Sequence, residues 1–235
     1  MLKKIVKWAL ALGFLAAVLG LGGLAGIFYW YGRDLPKLMK REDFQPAQMS
    51  RVYSAEGEVI AEYYTPGARR TVVPLEKIPL HVRHAFMAAE DADFMKHEGI
   101  DWLGMVRAFY YAVRFDVGVK GTSTITQQVA KNFLLSSDQT YERKIKEMIL
   151  AFRIEQAYSK DRILELYVNE IFFGLGSYGI AGAALTYYDK SVNELTISEA
   201  AYLAALPKGP NNYHPFRQKQ AAMERRNWVL DRMVE

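Results

Sequence analysis

Cysteine is absent from the 235 residues, and histidine occurs only four times. Without thiols the chain has no disulfide scaffold, no thiolate nucleophile, no iron–sulfur cluster and no cysteine-ligated zinc, and four scattered histidines do not make a metal cage. The redox compartment stays open. Glycine (17) and proline (8) are too sparse for a collagen or low-complexity chain, and 51% hydrophobic against 24% charged residues excludes intrinsic disorder. Charge of one sign is scarce too. Thirty Lys+Arg against 26 Asp+Glu give +4 and an isoelectric point of about 9.0, which suits anionic partners without requiring nucleic acid.

A long uncharged run is present. Residues 8–32, between Lys7 and Arg33, carry no charge. As a helix they rise roughly 37 Å and cross a ~30 Å hydrocarbon core with some tilt. Trp8 at one end and Phe28, Tyr29, Trp30 and Tyr31 at the other suit the two interfaces. A cleaved signal peptide has an apolar region of about 7–15 residues ending at small residues, whereas this one is longer and ends in aromatics, so it reads as an uncleaved anchor behind a short tail, 1–7. Lys3, Lys4 and Lys7 before the run and Arg33, Lys37, Lys40 and Arg41 after it leave orientation open. Gly22 and Gly26 have helix-packing spacing, which a Gly/Ala-rich run produces by chance.

Residues 33–78 read as a juxtamembrane linker and a hairpin. The β-favouring Val52, Tyr53, Val59, Ile60, Tyr63 and Tyr64 flank Ala55-Glu56-Gly57-Glu58. From Pro79 to the end the period is helical, so the domain at 79–235 is mainly α. Helices are expected from Pro79 to Glu90; after the N-cap Asp101, with Trp102, Met105, Phe109 and Val113 on one face; and after a capping box at Thr124-Ile125-Thr126-Gln127. Residues 140–157 form the clearest amphipathic helix, with Ile145, Met148, Ile149 and Phe152 on one face. A short apolar helix at 163–168 runs out at a Gly-rich turn, 174–179. A second capping box, Thr196-Ile197-Ser198-Glu199, opens a helix that Pro207 stops, and 218–235 is helical with no stop signal, as in a chain cut within a longer protein.

Three places could carry chemistry. Glu90, Asp91 and Asp93 gather at a helix C-terminus, where the macrodipole disfavours acids. Mutual repulsion and burial would raise one of them toward general acid/base use, and a solvated loop from Asp91 is the plainer alternative. Arg143-Lys144-Ile145-Lys146-Glu147 surrounds one acid with three cations; a surface i,i+4 pair in the weaker order is its plain reading, an anion site such as pyrophosphate its chemical one. Between them, Gly121-Thr122-Ser123-Thr124-Ile125-Thr126-Gln127-Gln128 opens a helix with Lys131 one turn inside, a terminus suited to anions without P-loop spacing.

Taken together and in order, these segments resemble the peptidoglycan glycosyltransferase domain, glycosyltransferase family 51, of class A penicillin-binding proteins. Glu90-Asp91-Ala92-Asp93-Phe94-Met95-Lys96-His97-Glu98-Gly99 is similar to its Glu-Asp-x-x-Phe-x-x-His-x-Gly motif. Residues 121–128 are similar to its Gly-x-Ser-Thr-Ile-Thr-Gln-Gln motif and 143–147 to its Arg-Lys-x-x-Glu motif. Residues 160–169 and 199–210 resemble the other two.

The resemblance implies a mainly α, lysozyme-like fold with a small β-hairpin and one transmembrane helix. It implies that lipid II is joined to a growing lipid-linked glycan strand through a β-1,4 bond, with inversion. Glu90 would then deprotonate the acceptor 4-hydroxyl and Glu147 would sit by the donor pyrophosphate, where the resemblance allows a divalent cation such as Mg2+ and needs no organic cofactor. Lys131, Arg143 and Lys144 would neutralise the phosphates. Asp91, Phe94, His97, Ser123, Thr124, Gln127, Gln128 and Asn169 would complete the substrate site. Moenomycin-type inhibitors, other cell-wall synthesis proteins and the cytoplasmic membrane are the further implied partners, with the N-terminus cytoplasmic and the domain on the outer, periplasmic face. No serine beyond the anchor has lysine three residues on, so the Ser-x-x-Lys of a transpeptidase is missing and the chain is expected to stop before such a domain. A lytic hydrolase also uses two acids on such a fold, but has no use for cations beside the second. A non-catalytic membrane scaffold is the third reading.

Overall fold

The computed structural model describes residues 2–33, 35, 50–63, 71–116, 118, 122–134 and 140–235. The expected linker at 36–49, Tyr64 and Gly121 lie outside these residues. Helix α1 spans Leu2–Gly32. Within it Leu10–Gly32, 23 residues of mean hydropathy 2.2, is long and apolar enough to cross a membrane, and its apolar window adds nothing to the protein's own core. Gly22 and Gly26 face open space, so their spacing serves no packing here. The C-terminal end of α1 docks on α5 (Tyr141–Ala157), where Arg153 Nη2 donates to the Gly32 carbonyl at 2.9 Å. A guanidinium at a helix C-terminus satisfies a free carbonyl and meets the negative end of the dipole.

The expected hairpin is present as antiparallel β1 (Ser50–Tyr53) and β2 (Val59–Tyr63). Its turn closes on the Ser54 hydroxyl, which accepts from the Glu56 and Glu58 amides, and Gly57 supplies the positive φ of 85°. Chain re-entering at 71–75 is fastened to α6 (Lys160–Glu170). Asn169 accepts from the Val73 amide at 2.8 Å and donates to its carbonyl at 2.9 Å, while Glu165 accepts from the Leu75 amide at 2.8 Å.

The helical body comprises α2 (Leu80–Glu90), α3 (Trp102–Phe115), α4 (Ile125–Leu134), α5, α6, α7 (Gly179–Tyr188), α8 (Ile197–Ala205) and α9 (Lys219–Val234). Its core packs Val82 and Phe86 of α2 with Ile125, Leu150, Tyr167, Val168, Ile180 and Leu203. Each such side chain removed from water contributes about 1.5–3 kcal/mol. Helix α8 lies against both α2 and α9, and α4 against α5 and α6; the end of α2 meets the start of α4 through hydrogen bonds of Glu90 and Asp91.

At three places the structure goes beyond the local periodicity. Helix α3 is present after its Asp101 cap, but its apolar face is not a core face: none of its residues is buried, and Phe109 and Val113 are 63% and 69% exposed. On α5 the buried side carries Glu147, Ile149, Leu150, Ala151 and Ile154, while Phe152 is exposed, because α4, α6 and α1 cover more of the helix than one stripe. The expected Gly-rich turn is present at Leu175 and Gly176, and it closes a second hairpin, β3 (Phe172–Gly174) with β4 (Ser177–Tyr178), which delivers the chain into the unanticipated α7.

Candidate active site

Helix α2 ends on Glu90, and Asp91 is its C-cap. The solvated-loop alternative fails for Asp91, which is buried and accepts from His97 Nε2 at 2.9 and 3.0 Å and from the Ile125 amide, at the start of α4, at 3.0 Å. It therefore ties the end of α2 to the beginning of α4. The loop it governs folds onto Phe94, which is fully buried and meets His97 edge-on and the Lys160 ammonium at 4.4 Å. Lys160 also donates to the His97 carbonyl and to Glu155, whose carboxylate accepts from Thr126 at 2.5 Å. At Gly99, φ is 87° and a Cβ would stand 3.0 Å from the Ala151 carbonyl, so only glycine lets the loop lie on α5.

The capping box at the head of α4 is reciprocal: Gln127 N donates to Thr124 Oγ1 and Thr124 N to Gln127 Oε1. The Thr124 hydroxyl donates to the Gly99 carbonyl at 2.6 Å. This aims Gln128, one residue on, at Glu90, donating Nε2 to Oε2 at 2.7 Å. Glu90 Oε1 is buried and accepts from no described residue. Burial pushes the Glu90 carboxyl above its ordinary range and Asp91 adds to the effect; the Gln128 bond and the charges of Arg225 and Lys208 pull it back.

Glu147 is 3% exposed, which overturns its expected position on the face opposite the core. Lys144 Nζ donates to Glu147 Oε1 and reaches Ser123 Oγ at 2.9 Å, and Arg143 Nη1 lies 3.8 Å from Glu147 Oε2. The Arg143 side chain is 16% exposed in that pair, with Nε and Nη1 buried and without a hydrogen-bond acceptor among the described residues. It is not a surface ion pair. Lys146, by contrast, pairs with Glu142. Lys131 stands exposed on α4.

A cleft of about 450 Å³ runs from Glu90 to Ser123: Glu90, Asp91, Asp93, Ser123 and Thr124 line it together with Trp228 and Arg232 of α9. Ser123 is the hinge between the carboxylate and the cations, since it faces this cleft and accepts from Lys144. Asp91, Phe94, His97, Thr124 and Gln127 are engaged with the chain's own groups and shape the site. Asn169 is a correction in the same sense: 3% exposed and bonded to Val73 and Glu165, it has no surface to offer a ligand at the cleft. As for a divalent cation, the only carboxylate in the cation cluster is already paired with Lys144 and Arg143. Among the described residues no three His, Asp or Glu side chains gather to hold a metal, but Mg2+ needs only one or two carboxylates beside substrate phosphates, and Glu147 is the residue that would hold one there.

Reading along the sequence missed Trp228 and Arg232, which α9 brings to the cleft, and Arg225, which α9 brings to the Ala89 carbonyl from 136 positions away. Their only local signal is a helical period shared with any surface helix. A second hollow, about 760 Å³ and mostly apolar, lies where Phe28 of α1 meets Ile100, Trp102, Leu103 and Phe152.

A family model described as Transglycosylase matches residues 56–234. The chain is 44% identical over 229 residues to Penicillin-binding protein 1A of Rickettsia bellii (strain RML369-C), covering 96% of this chain and 28% of that protein. It is 42% identical over 232 residues to Penicillin-binding protein 1A of Escherichia coli (strain K12), covering 99% and 27%. With that of Aquifex aeolicus (strain VF5) it is 46% identical over 228 residues, covering 96% and 31%. The chain thus spans less than a third of the length of these curated relatives.

Proposed function

The chain belongs to the transglycosylase family, and from that premise we propose that it is a membrane-anchored peptidoglycan glycosyltransferase that polymerises lipid II for cell-wall synthesis. Glu90 takes the proton of the acceptor 4-hydroxyl as that oxygen bonds to the donor anomeric carbon from the face opposite the leaving group. The bond from that carbon to the pyrophosphate breaks, and the lipid-linked pyrophosphate departs with the electron pair. A β-1,4 linkage results. Arg143 and Lys144 receive the developing negative charge, the first through forked donors and the second as a mobile point charge, with Lys131 as an outer cation. Glu147 holds Lys144 and Arg143 in register. No step runs through a metal.

The observation that carries this reading is the continuity of base and cations. A partly buried carboxylate raised by desolvation shares a cleft with a serine that is bonded to the ammonium of a cation cluster. A general base needs the first feature, and an anionic leaving group the second. A hydrolase acting on uncharged glycan has no use for the second.

The membrane assignment draws on two surfaces. Helix α1 supplies the span, and α3 supplies Trp102, Leu103, Val106, Phe109, Tyr110 and Phe115, all largely exposed. An apolar surface of that extent is unfavourable in water and favourable in a bilayer interface. In this reading the N-terminal tail is cytoplasmic and the cleft opens beside the outer leaflet, within reach of substrates whose polyprenyl chains stay in the membrane.

Incubating the full chain with lipid II and, separately, with purified sacculi tests the proposal. Polymer and polyprenyl pyrophosphate from the first, with intact sacculi, are expected. Soluble fragments from sacculi without polymer would replace synthesis with lysis, and inertness toward both would favour the scaffold.

A further inference from the structure

Groups from several parts of the fold act on Glu90. Asp91 follows it in the chain and opposes its ionisation. Gln128 of α4 donates to Oε2. Tyr167 of α6, fully enclosed with its hydroxyl unpartnered among the described residues, interacts with the charge of Glu90. Lys208, between α8 and α9, and Arg225 of α9 favour the ionised form. The two cations differ in setting. Lys208 is exposed, so solvent and salt screen it.

Arg225 is half-buried and fixed from two sides. Its Nη2 donates to the Ala89 carbonyl at 3.3 Å, and its guanidinium carbon lies 3.7 Å from the centre of the Trp228 ring. Ala89 immediately precedes Glu90 in the last turn of α2, where free carbonyls make the helix end negative. The guanidinium therefore occupies a carbonyl at that end and sets a fixed positive charge near the carboxylate. Arg225 Nε is buried without an acceptor, and Glu90 Oε1 is buried without a donor, among the described residues.

We infer that Arg225 is a positioning residue for the base: it holds the end of α2 and keeps Glu90 ionised against burial, so that the carboxylate accepts a proton at neutral pH. This rests on the reading of Glu90 as general base. The rival is simple fastening of α9 to α2, in which the charge is incidental. Arg225→Met removes the charge and Arg225→Lys retains it, so the pair separates the two accounts.

The test is kcat/KM for lipid II polymerisation by the full-length chain across pH, for wild type, Arg225→Met, Arg225→Lys and Glu90→Gln. In Arg225→Met the acid limb should move up by about one pH unit, so activity on that limb falls about tenfold and recovers at higher pH. Arg225→Lys should restore most of the shift. Carbodiimide labelling of Glu90, which requires the protonated carboxyl and is read by mass spectrometry, follows the same group without turnover, and its midpoint should move likewise. An Arg225→Met profile lowered equally at every pH, with an unmoved labelling midpoint, would overturn the inference in favour of fastening. An inert Glu90→Gln in the same assay leaves the base reading standing in that event; an active one removes both.

Discussion

Asp91→Asn is the substitution whose consequence follows most closely from the geometry. The Gly99 amide donates to His97 Nδ1 at 3.2 Å, so in the neutral ring the proton sits on Nε2, the atom facing Asp91. Asp91 accepts that proton and also the Ile125 amide proton. Asparagine keeps one acceptor: with its oxygen in the place of Oδ2 it still accepts from Ile125 and His97, but its NH2 then stands where Oδ1 accepts from His97 Nε2 at 2.9 Å, donor facing donor. One charge-assisted bond is lost and one buried donor is left unpaired, at a cost of about 2–4 kcal/mol. For a protein of this size that corresponds to a drop in melting temperature of roughly 5–15 °C. Thermal unfolding of the full chain in detergent, followed by far-UV circular dichroism, measures it. Asp93→Asn, which loses only an ion pair to the exposed Lys96, is the reference and should stay close to wild type. An Asp91→Asn protein melting within about 2 °C of wild type would refute the reasoning, since it is well below the expected loss.

Four further outcomes are expected. Arg143→Lys should still impair polymerisation across lipid II concentrations, because a fork becomes a point charge; wild-type behaviour would remove the bidentate role. Glu90→Gln should melt at or above wild type at neutral pH: the folded carboxyl lies above its unfolded value of 4.5, so the folded state binds more protons between the two and wild-type stability falls as pH rises through that window. The advantage should vanish below pH 4.5, and a variant less stable than wild type at neutral pH would contradict the sign. Asn169→Ala, which gives up the bonds to Val73 and Glu165, should lose about 2–3 kcal/mol in denaturant titration, and an unchanged midpoint would mean that segment 71–75 is held by other means. Removing residues 1–32 should lower activity on liposomes far more than in detergent, through lost effective concentration; equal losses in both would mean that α1 takes part in the substrate site.

Features fixed by neighbours in the chain were legible. The capping boxes at Thr124 and Thr196, the Asp101 N-cap and the Gly57 turn each depend on contacts within four residues, and each is found where its residues announce it. Features fixed by what packs from afar were not. Glu147 looked solvent-facing because periodicity assumes one buried stripe, while α5 is covered on several sides and shelters its acid with Lys144 and Arg143. The apolar spacing of α3 marked a helix but not what its face meets, because hydrophobicity alone does not distinguish a protein interior from a bilayer. Motif residues such as Phe94, Gln127 and Asn169 were recognisable as a set, yet only the fold separates those that shape the loop from those, such as Glu90 and Gln128, that meet at the cleft. Arg225 had no local mark at all.

Whether Glu90 is the base of a polymerising transferase is decided by one comparison. The initial rate of glycan-strand formation from lipid II is measured for the full chain and for Glu90→Gln, both with intact cooperative melting. Loss of a positioned general base costs about 10²–10⁴ in rate, so the variant should fall at least a hundredfold while its melting temperature holds or rises. Polymerisation by Glu90→Gln at more than about a tenth of the wild-type rate would contradict the account, because the observed loss would be too small for the group that takes the proton.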